Sequence, residues 1–199
     1  DDLLEYESLT RENTFEAVQY GDHPMQVAHL MTPLLSQDND GLANRDKLVI
    51  FIHGGAWGSG RPWMYRLVAR PLLQKNCSVA VLGYRTYPDT DVNGQVEDVK
   101  LATEKLLQHS PKFAENNLTI MGHSSGSHIG LLSVLDEGFL KKVKIGSFIS
   151  LAGVFDIVKH FQFETGRGVE ELSPLKPACG GSEASFRQCS PTYLVQDFI

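Results

Sequence analysis

The stretch TIMGHSSGSHIG (119–130) reads as a strand that ends at a glycine, turns on a serine and starts a helix. Its centre, Gly122-His123-Ser124-Ser125-Gly126, nominates Ser124 as a nucleophile carried on a sharp strand-to-helix turn. A serine hydroxyl needs a base to take its proton before it attacks. A second glycine corner, His53-Gly54-Gly55-Ala56-Trp57, ends an earlier apolar run. Acyl transfer passes through an oxyanion that needs preorganised N–H donors. Glycines let the backbone turn so that the N–H groups of Gly55 and Ala56 face inward. Ser125, at a helix start, adds a third donor and the positive end of the helix dipole.

The elements around these corners place them. FEAVQYGDHPMQVAHLMTP (15–33) predicts two strands about a turn, and the polar 36–47 segment a surface loop. LVIFI before the first corner and SVAVLGY (78–84) are continuous apolar runs, as in strands buried on both faces of a parallel sheet. Residues 62–75 and 93–109 read as helices, the second amphipathic through Val96, Val99, Leu101, Ala102, Leu106 and Leu107. LTIMG (118–122), SGSHIGLLSVL (125–135) and IGSFISLAG (145–153) continue as strand, helix and strand. This alternation predicts right-handed βαβ units and a largely parallel sheet, whose carboxyl edge binds ligands. Residues 154–199 break the rhythm, and 154–190 are expected to form a lid or excursion over that edge.

The 199 residues fit one domain with a sizeable core. A net charge of −6 without a Lys/Arg block argues against a nucleic-acid partner and a polybasic membrane anchor. No apolar run approaches the ~20 residues of a membrane span, and DDLLEYESLT lacks the basic and apolar regions of a signal peptide. The glycine runs follow neither a P-loop nor a dinucleotide fingerprint, so no cofactor is expected. Cys77, Cys179 and Cys189 lack the paired spacing of a zinc site, and no metal is expected. A Cys179–Cys189 disulfide and three unpaired thiols are both open readings. Two sequons occur, Asn76-Cys77-Ser78 and Asn117-Leu118-Thr119, and the compartment is left open.

From about residue 45 to 192 the chain resembles the α/β-hydrolase esterases of the HGG type. The nearest likeness is to isoprenylcysteine methylesterase-like and kynurenine formamidase-like (BD-FAE-like) proteins. VIFIHGGAWGSG (49–60), GYRTYP (83–88), IMGHSSGSHI (120–129) and LAGVFDIVKHF (151–161) with CSP (189–191) carry it. The resemblance implies an α/β-hydrolase fold lacking its last strands and helix, with 1–199 as one incomplete domain. It implies a serine carboxylic ester hydrolase with Ser124 as nucleophile and Gly55, Ala56 and Ser125 as oxyanion donors. A small-molecule ester would be its substrate, with Trp57 and Tyr87 near the pocket mouth. A formamidase-type C–N hydrolase and a non-catalytic scaffold that binds a small molecule or a protein are the alternatives.

The base is harder to find. The fold orders its triad as serine, acid, histidine, and the resemblance puts acid and histidine beyond Ile199. Of the histidines present, His53 and His128 read as structural, His123 adjoins Ser124 and should point away from it, and His23, His29 and His109 read as solvated. Asp156 and His160 satisfy the chain order but sit on one helix face, where they could pair with each other instead. Glu164 and Arg167 accompany His160 in HFQFETGRG, read either as a lid or as a solvated helix. Arg85 has two readings, a substrate carboxylate contact and a loop anchor.

Overall fold

Each apolar run becomes a strand, and the turn residues between them set the connections. The computed structural model describes residues 13–34, 46–115 and 118–195. The 36–45 part of the expected surface loop and Asn117 lie outside the described residues. In chain order come β1 (Asn13–Gln19), β2 (Val27–Pro33), β3 (Leu48–Ile52), a 3-10 helix (Pro62–Ala69), α1 (Arg70–Leu73) and β4 (Ser78–Leu82). Then follow α2 (Val92–His109), α3 (Lys112–Glu115), β5 (Leu118–His123), α4 (Ser125–Val134), α5 (Glu137–Leu140) and β6 (Ile145–Leu151). The last part holds α6 (Ile157–Gly166), α7 (Leu175–Ala178), α8 (Glu183–Gln188) and α9 (Pro191–Leu194).

The six strands form one sheet in the order β1-β2-β4-β3-β5-β6. β1–β2 and β2–β4 are antiparallel, and the other pairs are parallel. The chain leaves β3 for β4 on one side and returns to β5 on the other. That reversal places a topological switch point at the carboxyl ends of β3 and β5, where open α/β sheets bind ligands. β3 and β4 are buried at every position, as strands covered on both faces must be. Alternate side chains feed two cores. Ala80 and Leu82 join the larger one, under α2 and α4, while Val79 and Val81 meet Phe51, Ala69 and Leu73 on the other face.

One element differs from the sequence reading. Residues 62–75 form a 3-10 helix and then a short α-helix, because Pro71 lacks the N–H that would donate back into a continuous α-helix. β6 is the outermost described strand, so its apolar residues stay open: Ile149 is 39% and Leu151 41% exposed. On α2, the Asp91 carboxylate caps the helix by accepting from the Gly94 N–H, and Val92, Val96, Val99, Ala102 and Leu106 face the core, whereas Leu101 turns outward. Among the described residues no helix is long and apolar enough to cross a membrane.

Candidate active site

The parallel register pairs Ile52 of β3 with Gly122 of β5, so the corners that follow emerge side by side. They touch. A Cβ placed on Gly54 would lie 3.1 Å from Ser124 Cβ and 3.0 Å from the His123 carbonyl oxygen. A Cβ on Gly126 would lie 2.2 Å from the His53 carbonyl oxygen and 2.3 Å from that of Ile52. Only a residue without a side chain lets α4 start this close to the end of β3. Between these contacts Ser124 is held at φ 51° and ψ −121°, a region strained for any residue with a Cβ. Its N–H donates to the Leu151 carbonyl (2.9 Å), which ties the turn to β6. Ser124 is half-buried, and among the described residues its hydroxyl takes no hydrogen bond.

The first corner is equally constrained. Gly55, Ala56 and Trp57 all have positive φ (144°, 49° and 61°). The Gly54 carbonyl accepts from His53 Nδ1–H (2.8 Å) and from the Tyr65 hydroxyl (3.3 Å). The Gly55 carbonyl accepts from the N–H groups of Gly58 (3.1 Å) and Ser59 (3.0 Å) and from Ser59 Oγ (2.9 Å). In a trans peptide the N–H points opposite to its carbonyl, so tying these two carbonyls turns the N–H groups of Gly55 and Ala56 the other way. Among the described residues neither N–H finds a backbone partner. The Ser125 N–H, in the first turn of α4, has no carbonyl within its own helix. Two touching corners thus carry three backbone N–H groups for which no backbone acceptor is seen among the described residues.

Trp57, which the resemblance places near the pocket mouth, is a buried side chain of the glycine corner. It is 2% exposed, and its indole Nε1–H donates to His128 Nδ1 (3.0 Å). His128 passes its own Nε2–H to the Cys189 carbonyl (2.6 Å), so its tautomer is fixed and its ring neutral. Burial pushes the His128 pKa down to about 4, against the opposing pull of that donation to Cys189. The Trp57 carbonyl accepts from Gln95 Nε2 (2.8 Å) and from the Tyr87 N–H (2.8 Å). Tyr87 is half-buried and serves here through its backbone. Sequence reasoning missed Gln95 and the partnership of Trp57 with His128, residues 71 positions apart. The only available signal was His128 lying one helical turn past Ser124.

His53 is buried between Tyr65 and Tyr84, its ring stacked on each at 5.2 and 4.5 Å, and burial pushes its pKa down to about 4. His123 is exposed, with Nδ1 close to Gly54. His29, expected to be solvated, is instead buried and accepts from Arg66 Nε (3.2 Å). The Asp156–His160 pair does not form. Asp156 caps α6 by accepting from the Lys159 N–H (2.9 Å), and His160 Nε2 lies 3.5 Å from Glu164. Arg85 anchors its loop: its backbone N–H and guanidinium donate to Asp98, which is buried. Among the described residues no group of three His, Cys, Asp or Glu side chains is placed to hold a metal ion.

Residues 38–196 match the family model described as BD-FAE. The isoprenylcysteine alpha-carbonyl methylesterase ICME of Arabidopsis thaliana is 27% identical over 193 residues, 91% of this chain and 43% of the relative. The kynurenine formamidase of Danio rerio is 30% identical over 115 residues, 55% of this chain and 38% of the relative. The chain thus spans less than half the length of these curated relatives. Among solved structures, esterase B from Lactobacillus rhamnosis superposes with a TM-score of 0.76 at 22% identity, over 98% of this chain and 67% of that one. The fold is that of the α/β-hydrolases.

Proposed function

This chain belongs to the BD-FAE family, and from that premise we propose that it is a serine hydrolase of carboxylic esters. Ser124 Oγ attacks the ester carbonyl, and the oxyanion accepts hydrogen bonds from the N–H groups of Gly55, Ala56 and Ser125. The alcohol leaves, and water then releases the acid from the acyl-enzyme. The observation that carries this reading is the approach of Gly54 to within a side-chain contact of Ser124, with both corners held at positive φ. Substrate is a small-molecule ester, in keeping with the methylesterase relative.

The general base and its acid are assigned to groups outside the described residues. This rests on the hydroxyl of Ser124 meeting none of the described histidines, and on His160 turning to Glu164. Residues 154–190 are the lid of this reading. They follow β6 at the same sheet edge, and Pro174 packs where a Cβ on Gly58 would stand (2.5 Å), directly on the glycine turn. The kynurenine formamidase relative supports a second reading, N-formyl amide hydrolysis, which would use the same donors and nucleophile.

A fluorophosphonate in excess tests the proposal, with peptide mapping of the adduct. Labelling at Ser124 that is lost in Ser124→Ala supports the nucleophile. Labelling abolished by His160→Ala would return the base to α6. Absence of any adduct after prolonged exposure would favour the binding scaffold. Hydrolysis of matched methyl esters and N-formyl anilines by the labelled-competent protein separates the two reactions.

A further inference from the structure

One imidazole joins three parts of the site. His128, fully buried on α4, lies one turn past Ser124, and its backbone N–H donates to the Ser124 carbonyl (3.2 Å). Its side chain leaves that helix in two directions. Nδ1 accepts from the indole N–H of Trp57 (3.0 Å), in the turn that follows Gly55 and Ala56. Nε2–H donates to the Cys189 carbonyl (2.6 Å), at the end of α8. An indole N–H can only donate and a carbonyl can only accept, so the ring is neutral with its proton on Nε2. Both partners are themselves held. Ser190 Oγ accepts from the Ile157 N–H (2.9 Å) and donates to the Phe186 carbonyl (2.6 Å), which fixes the segment carrying Cys189. The Trp57 carbonyl is taken by Gln95 of α2 and by the Tyr87 N–H, so Trp57 is gripped at both ends.

We propose that His128 is a positioning residue of the hydrolase, which holds the oxyanion corner against the nucleophile helix through Trp57. This deepens the serine-hydrolase reading and rests on it. The corner needs a grip for a conformational reason. Ala56 and Trp57 carry side chains yet stand at φ 49° and 61°, and such strained residues persist only where the surroundings over-determine them. Relaxation of either φ turns the adjoining peptide planes, and the Ala56 N–H with them. The bonds to the Gly55 carbonyl come from Gly58 and Ser59, within the same turn, and move with it. Among the described residues, Trp57 is held from outside that turn by Gln95, Tyr87 and His128, and of these only His128 stands on the helix that Ser124 starts. One side chain thus keeps the donors of the corner in register with the nucleophile. His128 takes no proton from Ser124, because both ring nitrogens are engaged elsewhere.

The test compares His128→Leu, similar in size but without polar side-chain atoms, with His128→Gln, whose amide accepts at Oε1 and donates at Nε2. Fluorophosphonate labelling of Ser124 is followed against reagent concentration, with each variant shown to be folded by its urea melt. His128→Leu is expected to lower the saturating rate about a hundredfold, as a displacement of about 1 Å does, and to leave the half-saturating concentration within about twofold. His128→Gln is expected to recover most of that loss. Trp57→Phe, which removes the indole N–H, should lose as much, and His128→Leu on top of it should add no further loss, since both break one bond. A folded His128→Leu labelled at the parent rate, a loss confined to half-saturation, or losses that multiply in the double variant would overturn the proposal. Amide exchange reads the grip without the chemistry. The Gly58 and Ser59 N–H groups, which hold the Gly55 carbonyl, are expected to exchange about tenfold faster in His128→Leu or, should that variant not fold, in Trp57→Phe. In His128→Gln they should keep the parent rate. Unchanged exchange would overturn the positioning role. Faster exchange in a protein whose parent forms no adduct would support the grip on the corner and overturn the hydrolase reading alone.

Discussion

Gly126→Ala probes the contact on which the site is built. The new methyl would stand 2.2 and 2.3 Å from two backbone oxygens, those of His53 and Ile52, which cannot rotate away as a side chain can. Reaching an ordinary contact of about 3.4 Å requires the start of α4 to back off from β3 by about 1 Å, an overpacking that costs about 1–3 kcal/mol. With a urea slope of about 2 kcal/mol per molar, the unfolding midpoint should drop by about 0.5–1.5 M. The same retreat separates Ser124 from Gly55 and Ala56, and a displacement of about 1 Å can slow a positioned reaction about a hundredfold. The assay is urea unfolding followed by fluorescence, in parallel with the rate of fluorophosphonate labelling. Gly166→Ala, at the end of α6 with nothing within 4 Å, is the control and should change neither. A Gly126→Ala protein within about 0.5 kcal/mol of the parent, labelled at the parent rate, would refute the reasoning.

Three further outcomes follow from the same geometry. Ser124→Gly should raise stability by about 1 kcal/mol by relieving the positive φ, whereas Ser124→Ala keeps the strain and should not; urea melts of both decide. Asp98→Ala strands the Arg85 guanidinium and the Gln26 amide, both of which donate to it, and should cost about 3–5 kcal/mol in the same assay. His53 and His128 are held neutral, with pKa values down at about 4, while the unfolded chain takes up those protons near pH 6.5. Their contribution is therefore complete above about pH 6.5 and is lost as pH falls toward 4, by up to about 1.4 kcal/mol per pH unit for each histidine. His128→Gln should flatten that slope in unfolding midpoints measured from pH 7 to 4.5.

Much of this arrangement is legible in the sequence because it is local. The runs 48–52 and 78–82 are apolar throughout, and burial on both faces leaves such residues no other place in a parallel sheet. The two corners could be aligned because each ends a strand, and parallel neighbours end at the same edge. What escaped is long-range. Nothing in the spacing of Trp57 says that its indole turns inward to His128, or that Gln95 of α2 holds its carbonyl. Asp156 lies four residues before His160, but it is engaged as the cap of α6, and Glu164 lies four residues forward on the same face. The openness of β6 depends on what lies beside it in the sheet, which its own composition cannot express.

The central claim is that backbone N–H groups of Gly55, Ala56 and Ser125 converge on the oxygen chemistry of Ser124. A crystal structure of the phosphonate adduct, formed with reagent in excess, measures this directly. The account predicts a phosphonyl oxygen on Ser124 within about 3 Å of those three nitrogens. An adduct whose oxygen points to solvent with the three N–H groups unengaged, or an adduct on another residue, would contradict it.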